Sequence, residues 1–251
     1  MTLLEQWFEG FSCLEPNSLV FVAFPGVGNV GKCAIEEILA MNLNEEVLRL
    51  HPLGLPPLAE LDDRGLLSPP HIKVHRVHLS GSQSLYTILG PSQPNQAIEQ
   101  SMLARQILEF AKIQNIERIC VFAGLMDEPD RRETFAVATT VTSRQRLVEQ
   151  GVDVRTDEPR SGAIGVSALI TSLGPVYNLD TCCVISSTVG TSKDTMSALR
   201  LLRAMNSWFD LQLTLPSEEM LNLRLRSKLS DVDTQQNDFI KEMTSHDTSY
   251  M

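Results

Sequence analysis

The residues with types and spacing suited to chemistry begin with the stretch FPGVGNVGKC, Phe24 to Cys33. Gly26, Gly28 and Gly31 spell G-x-G-x-x-G, the pattern that lets backbone approach a pyrophosphate at a helix N-terminus. Gly26, Gly31 and Lys32 spell G-x-x-x-x-G-K, a phosphate-cradling loop lacking its final Ser or Thr. His71, His75 and His78 raise the question of a metal. On a strand, however, His71 and His75 would stand about 13 Å apart on one face and His78 would face away. They read as solvated or interfacial. Asp62-Asp63 and the run Asp127-Glu128-Pro129-Asp130 bring carboxylates together. Acid–base work needs two carboxylates at a fixed gap across a cleft, so these read as solvated loop acids. Ser161 and Ser167 lie in RSGAIGVSALI, without a G-x-S-x-G elbow and without a histidine placed as base. Cys182 and Cys183 face opposite sides of a strand and read as core. No catalytic residue, metal site or cofactor is expected.

The glycine loop fails both nucleotide patterns at the diagnostic residue. A P-loop places a hydroxyl on magnesium, and here that position is Cys33. It also needs an acid at the end of another strand, which Asp127 after VFAGLM fits only loosely. The dinucleotide fold holds the ribose with an acid at the end of its second strand. Leu50, His51 and Pro52 occupy that end, Glu45-Glu46 precede it, and Pro25 is foreign to the turn. The glycines therefore read as permitting positive φ and close helix–strand approach in a βα turn. A helix N-terminus beside Lys32 keeps a small anion as the alternative.

These residues need elements to position them. Leu19–Phe24 reads as a buried strand, followed by a helix from about Asn29 to Met41, then a short strand at Glu46–Leu50. A Pro-rich section, HPLGLPPLAELDDRGLLSPP, fits no ordinary element spacing. Ile72–Leu79 and Leu85–Leu89 read as a meander. Asn95 caps a helix to about Gln114. Strands are expected at Arg118–Phe122, Phe135–Thr139 and Thr181–Ser187. Helices are expected at Ser143–Gln150, Ile164–Leu173 and from the capping-box-like Thr191-Ser192-Lys193-Asp194 through Phe209. Apolar strands alternating with helices imply an α/β fold: a three-layer α/β/α sandwich with a mixed, largely parallel sheet. That domain is expected to span residues 1–216. Residues 217–251 read as an amphipathic helix, with Leu221, Leu225, Leu229, Val232, Phe239 and Met243 on one face, and a polar tail.

The formal net charge is −10 over 251 residues, which argues against nucleic acid as a partner. Five cysteines without C-x-x-C spacing point to a reducing, cytoplasmic setting. MTLLEQWFEGF lacks the basic flank and apolar run of a signal peptide, and no stretch approaches a membrane span, so no membrane role is expected.

VFVAFPGVGNVGK resembles the opening motif of the proteasome assembly chaperone family, in its archaeal and bacterial form. LGPSQP at Leu89–Pro94, the VFAGL strand end, RSGAIGVSALI at Arg160–Ile170 and SSTVGTSKDTMSALRLLRAMNSWFDLQL follow in the family's order, so the resemblance covers about residues 19–215. It implies a nucleoside phosphorylase-like α/β/α sandwich, homo-oligomerisation and binding without chemistry to proteasome α subunits or the core particle. The loop residues Phe24, Pro25, Gly26, Gly28, Asn29, Gly31 and Lys32 are expected, from their own types, to shape the turn and to serve an interface or hold a small anion. Certain archaeal members dock through a C-terminal hydrophobic–Tyr–any tripeptide. Here the matching residues are Ser249, Tyr250 and Met251, with Ser249 where the hydrophobic residue stands. The alternative from another class is a nucleotide- or anion-binding enzyme, an ATP-dependent ligase or phosphorylase-like protein using Gly26–Lys32.

Overall fold

The computed structural model describes residues 3–61, 65–81, 84–160, 162 and 164–224. Its strands are β1 (Leu4–Trp7), β2 (Leu19–Ala23), β3 (Asn44–His51), β4 (Glu60–Leu61), β5 (Leu67–Ser68), β6 (Ile72–Val77), β7 (Leu85–Leu89), β8 (Arg118–Met126), β9 (Thr134–Ala138) and β10 (Asp180–Thr188). Its helices are α1 (Val30–Met41), α2 (Ala97–Ile113), α3 (Val141–Glu149), α4 (Gly165–Leu173) and α5 (Thr195–Phe209). Eight strands form one sheet in the order β1-β3-β6-β7-β2-β8-β10-β9. The central four, β7, β2, β8 and β10, run parallel. Antiparallel strands flank them on both sides.

Period-two alternation turns these strands into two cores. On β2, Leu19, Phe21 and Ala23 face the layer of α1 and α5, while Val20 and Val22 face the layer of α2 and α4. Every one of the five is buried, which explains the unbroken apolar run. Phe21 and Phe122 meet with ring centroids 4.7 Å apart at a 41° tilt, the aromatic centre of the α1/α5 side. At the amino ends of the parallel strands Arg118 donates to Asp180 at 2.8 Å, tying β8 to β10 in register. The outer margin of β9 is covered: Ala136 donates its N–H to the Asp153 carbonyl at 2.7 Å, and Arg155 donates to the Ala136 carbonyl at 2.9 Å.

Several boundaries differ from the sequence reading for physical reasons. β8 continues past Phe122 to Met126 because β10 keeps pairing with it through Thr188. Asn95 does not cap α2. The cap is Gln96, whose backbone N–H donates to Glu99 at 3.4 Å. Thr191 and Ser192 lie outside α5, and Asp194 is the cap, accepting the Ser197 N–H at 2.9 Å. The Pro-rich section holds a two-stranded ribbon, β4 with β5. The strand β1, for which no signal was read, adds to the edge of β3. Gly151, at φ +78°, ends α3 as expected.

The chain divides into two units, Met1–Leu215 and Pro216–Met251. In the second, residues 218–224 are helical, and the Ser217 hydroxyl accepts the Met220 N–H at 3.1 Å. Leu225, Leu229, Val232, Phe239 and Met243 lie outside the described residues.

Removing the Phe122 ring leaves a cavity against Phe21 in a fully buried layer. Phe122→Ala is expected to destabilise the protein by about 3–5 kcal/mol. A guanidinium unfolding curve would show the midpoint falling with little change in slope.

Candidate functional site

The turn after β2 is built by backbone packing on backbone. Gly28 sits at φ +62° and Asn29 at φ +49°, so two successive residues are left-handed. The Asn29 N–H donates to the Gly26 carbonyl at 2.9 Å, and its side-chain amide donates to the Ser192 carbonyl at 2.7 Å. The Asp194 N–H donates to the Gly28 carbonyl at 2.9 Å. Gly31 has no room for a methyl group: a Cβ there would lie 2.4 Å from the Phe122 carbonyl oxygen. A Cβ on Gly124 would lie 2.2 Å from the Val27 carbonyl oxygen. The first turn of α1 thus presses directly on β8.

Two clasps hold the turn from either side. Gln93, in the segment before α2, donates to the Pro25 carbonyl at 2.5 Å and accepts the Val166 N–H at 3.0 Å, joining the turn to α4. On the other side, Thr188 and Ser197 hydroxyls donate to Asp194 at 2.6 and 2.7 Å. Burial works to raise the Asp194 carboxyl. The hydrogen bonds from Thr188 and from the Ser197 backbone and hydroxyl outweigh it and hold the carboxyl below its usual range.

This geometry accounts for the failed nucleotide patterns. Cys33 is buried, and burial pushes its thiol up to about 11, so it offers no anionic ligand near neutral pH. Lys32 lies 3.8 Å from Glu36 on its own helix. The strand following α1, β3, is three places from β2 in the sheet and runs antiparallel to its neighbours, so its end does not stand beside the turn.

Beyond the turn, the carboxyl ends of the parallel strands open into a cleft of about 980 Å³. Its floor includes Leu125, Cys183 and Ile185, its rim Val27, Met126 and Ile164, and its wall backbone at Gly26, Gly124 and Gly165. Asn95, Gln100 and Ser167 contribute polar atoms. A smaller hollow of about 330 Å³, lined by Lys32, Glu36, His71 and Lys73, lies apart from it.

The remaining candidates are dispersed. His71 Nδ1 lies 2.8 Å from the Pro69 carbonyl, and His78 pairs with Glu45 at 3.2 Å. His75 stands opposite Glu46 in the β3–β6 register, and burial lowers its pKa. Among the described residues no three of His, Cys, Asp and Glu converge as a metal would require. Asp127 corrects the reading of solvated acids. Its carboxylate pairs with Arg131 at 2.8 Å, and Arg131 also holds Glu133 at 3.0 Å and Glu158 at 2.6 Å. Cys182 and Cys183 do face opposite sides. Cys182 meets Cys120 at 3.5 Å, and Cys183 is buried with its thiol pushed up to about 12. Asp62, Asp63, Ser161, Ser249, Tyr250 and Met251 lie outside the described residues. Gln93, Thr188 and Arg131 were missed as site residues. Gln93 and Glu158, the latter bound by Arg131, reach across 73 and 27 positions, and the only sequence signals are the segments LGPSQP, which holds Gln93, and SSTVGTSK, which holds Thr188.

Helices on both faces of a sheet whose parallel strands end in a tight glycine turn define an α/β/α sandwich with a cleft at the strands' carboxyl ends. The chain belongs to the PAC2 family, whose model matches residues 20–223. It is similar to the uncharacterized protein MJ1210 of Methanocaldococcus jannaschii, 22% identical over 196 residues that cover 75% of this chain and 73% of that protein. Its fold is similar to that of Pyrococcus furiosus PbaA, an archaeal homolog of proteasome-assembly chaperone, with a TM-score of 0.72, 18% identity and 100% of both chains covered. Pyrococcus furiosus PbaB, an archaeal proteasome activator, also superimposes with a TM-score of 0.72, at 17% identity over 94% of this chain and 99% of its own.

A pair of glycine substitutions separates close approach from free space. Gly31→Ala is expected to cost roughly 1–3 kcal/mol by urea denaturation. Gly26→Ala should be close to neutral, because its Cβ would meet nothing nearer than the Phe24 carbonyl at 3.9 Å. The Asp194 clasp has its own pH signature. Its folded pKa lies below the unfolded one, near 3.9, so its contribution is complete above that value and is lost as pH falls through the folded pKa. Thermal melts from pH 6 to pH 2.5 should show a shallower acid decline in Asp194→Asn than in the parent.

Proposed function

We propose that this chain is a cytoplasmic, homo-oligomeric assembly chaperone or adaptor that binds proteasome α subunits or the core particle without chemistry. The observation that carries the reading is its PAC2 family membership over residues 20–223. The fold shared with the archaeal proteasome-assembly chaperone homolog and the proteasome activator supports it. The polar side chains around the glycine turn are consistent with binding rather than turnover. Gln93, Asn29, Thr188 and Asp194 each spend their hydrogen bonds on holding the turn.

In this reading Ser249, Tyr250 and Met251 dock into pockets between adjacent α subunits. A tyrosine ring and hydroxyl supply apolar area and a hydrogen bond in one short segment. The turn from Phe24 to Lys32 serves as a structural and interface element. Residues 1–216 form the chaperone-family domain, and residues 217–251 its helix and tail.

A pull-down of the host's α subunits with the full chain and with the chain lacking Ser249–Met251 tests this. Capture by the full chain and its loss on truncation is the expected result. Capture that survives truncation moves the contact to the α/β/α domain, and no capture by either overturns the proteasome assignment. A thermal shift with ATP and magnesium tests the enzyme alternative. A nucleotide site filled at a hundred times its dissociation constant adds about 2.7 kcal/mol, and no such shift is expected.

A further inference from the structure

We infer that the cleft at the carboxyl ends of β2, β8 and β10 is a binding site for a small, uncharged, mainly apolar ligand such as an aromatic ring or an acyl chain. The inference stands independently of the proteasome reading, since it concerns a different part of the chain from residues 249–251.

Place is the first argument. After β2 the chain leaves through α1 on one face. After β7 it crosses through α2 on the opposite face and reaches β8 on the far side of β2. Connections departing to opposite faces from the adjacent parallel strands β7 and β2 leave a gap at their carboxyl ends, the position at which open α/β sheets hold ligands, and Gln93 and Asn95 after β7 and Phe24 and Gly26 after β2 line the cleft. Size is the second. About 980 Å³ is at the upper end of the range for small-molecule pockets, roughly 300–1,000 Å³.

Chemistry selects the class. None of the described residues lining the cleft is charged. An ionic group entering it would lose hydration with no opposite charge to replace it. The cation of the loop, Lys32, lines the separate hollow beside Glu36 instead. The floor is aliphatic at Leu125 and Ile185, and the bare backbone at Gly26 keeps the wall low. Gln93 is already committed to Pro25 and Val166 and the Gln100 amide donates to the Pro94 carbonyl at 2.9 Å, which leaves Ser167 and Asn95 as the main handles for a single polar group on the ligand.

The site also has room along one direction. A second hollow of about 670 Å³ shares Pro159, Ile164, Gly165, Ala168, Cys183 and Ile185 with the cleft and reaches Val137 on β9. Together they form a trough that runs from the strand ends over the face of β10 and β9, long enough for a chain rather than only a ring, and the one charged residue described in its lining, Glu158, is paired with Arg131 at 2.6 Å.

The test uses the full chain and N-phenyl-1-naphthylamine, an uncharged probe that fluoresces in apolar surroundings. Saturable one-to-one binding is expected. In a ¹⁵N spectrum the Gly26, Gly124 and Gly165 amide signals should move, while the distant, exposed turn at Gly151 stays fixed. Ala168→Phe, from the α4 wall, and Ala123→Phe, from the β8 floor, should each weaken binding tenfold or more. The glycine signals of the unaltered chain carry the test if neither variant folds. The sulfonated analogue 8-anilino-1-naphthalenesulfonate, with one added negative charge, should bind at least tenfold more weakly at these signals. Absence of saturable binding, shifts confined elsewhere, unchanged affinity in both folded variants, or equal affinity for the sulfonate would each overturn the inference.

Discussion

Main chain pressed against main chain is the constraint on which this structure depends. Where α1 begins, Gly31 lies under the Phe122 carbonyl and Gly124 lies under the Val27 carbonyl, and a single methyl at either place would drive the helix away from β8. That contact fixes how near α1 comes to the middle of the sheet. It therefore fixes where the turn from Phe24 to Asn29 must run and how far the ends of β2 and β8 stand apart. The apolar layers follow from it. Phe21 and Phe122 stack because their strands are adjacent and the helix above them is close.

Around this contact the polar groups act as fasteners. Gln93 ties the turn to α4 on one side, and the Thr188–Asp194–Ser197 set ties it to α5 on the other. Arg131 gathers Asp127, Glu133 and Glu158, the last of which lines the second hollow. The pairs differ in worth. The partly exposed ones around Arg131 are screened by solvent and contribute modestly. Asp194, whose hydrogen bonds outweigh the cost of its burial, is coupled more firmly to folding.

Much of this was legible in the chain itself. The runs LVFVA, RICVF and DTCCVISS announce strands because a central parallel strand is apolar on both faces. The glycine turn was legible by subtraction, since Cys33 and the end of β3 deny the two nucleotide patterns. β1 and the β4–β5 ribbon were not, because short exposed strands owe their existence to a partner rather than to their own residues. The roles of Gln93 and Glu158 were hidden for a related reason. Gln93 Oε1 meets Val166, 73 positions away, and Glu158 meets Arg131 across 27 positions. Local spacing encodes pairs within a turn of chain and carries no trace of such meetings.

The covered margin of β9 sets the mode by which this protein can recognise anything at its cleft. With the Ala136 N–H and C=O already taken by the 153–155 segment, an incoming extended peptide cannot pair with the middle of that strand and extend the sheet there. Recognition beside β9 must then be read through shape and side-chain fit. That makes it sensitive to the outline of its occupant and indifferent to backbone pairing, which a strand-adding site would accept from almost any sequence.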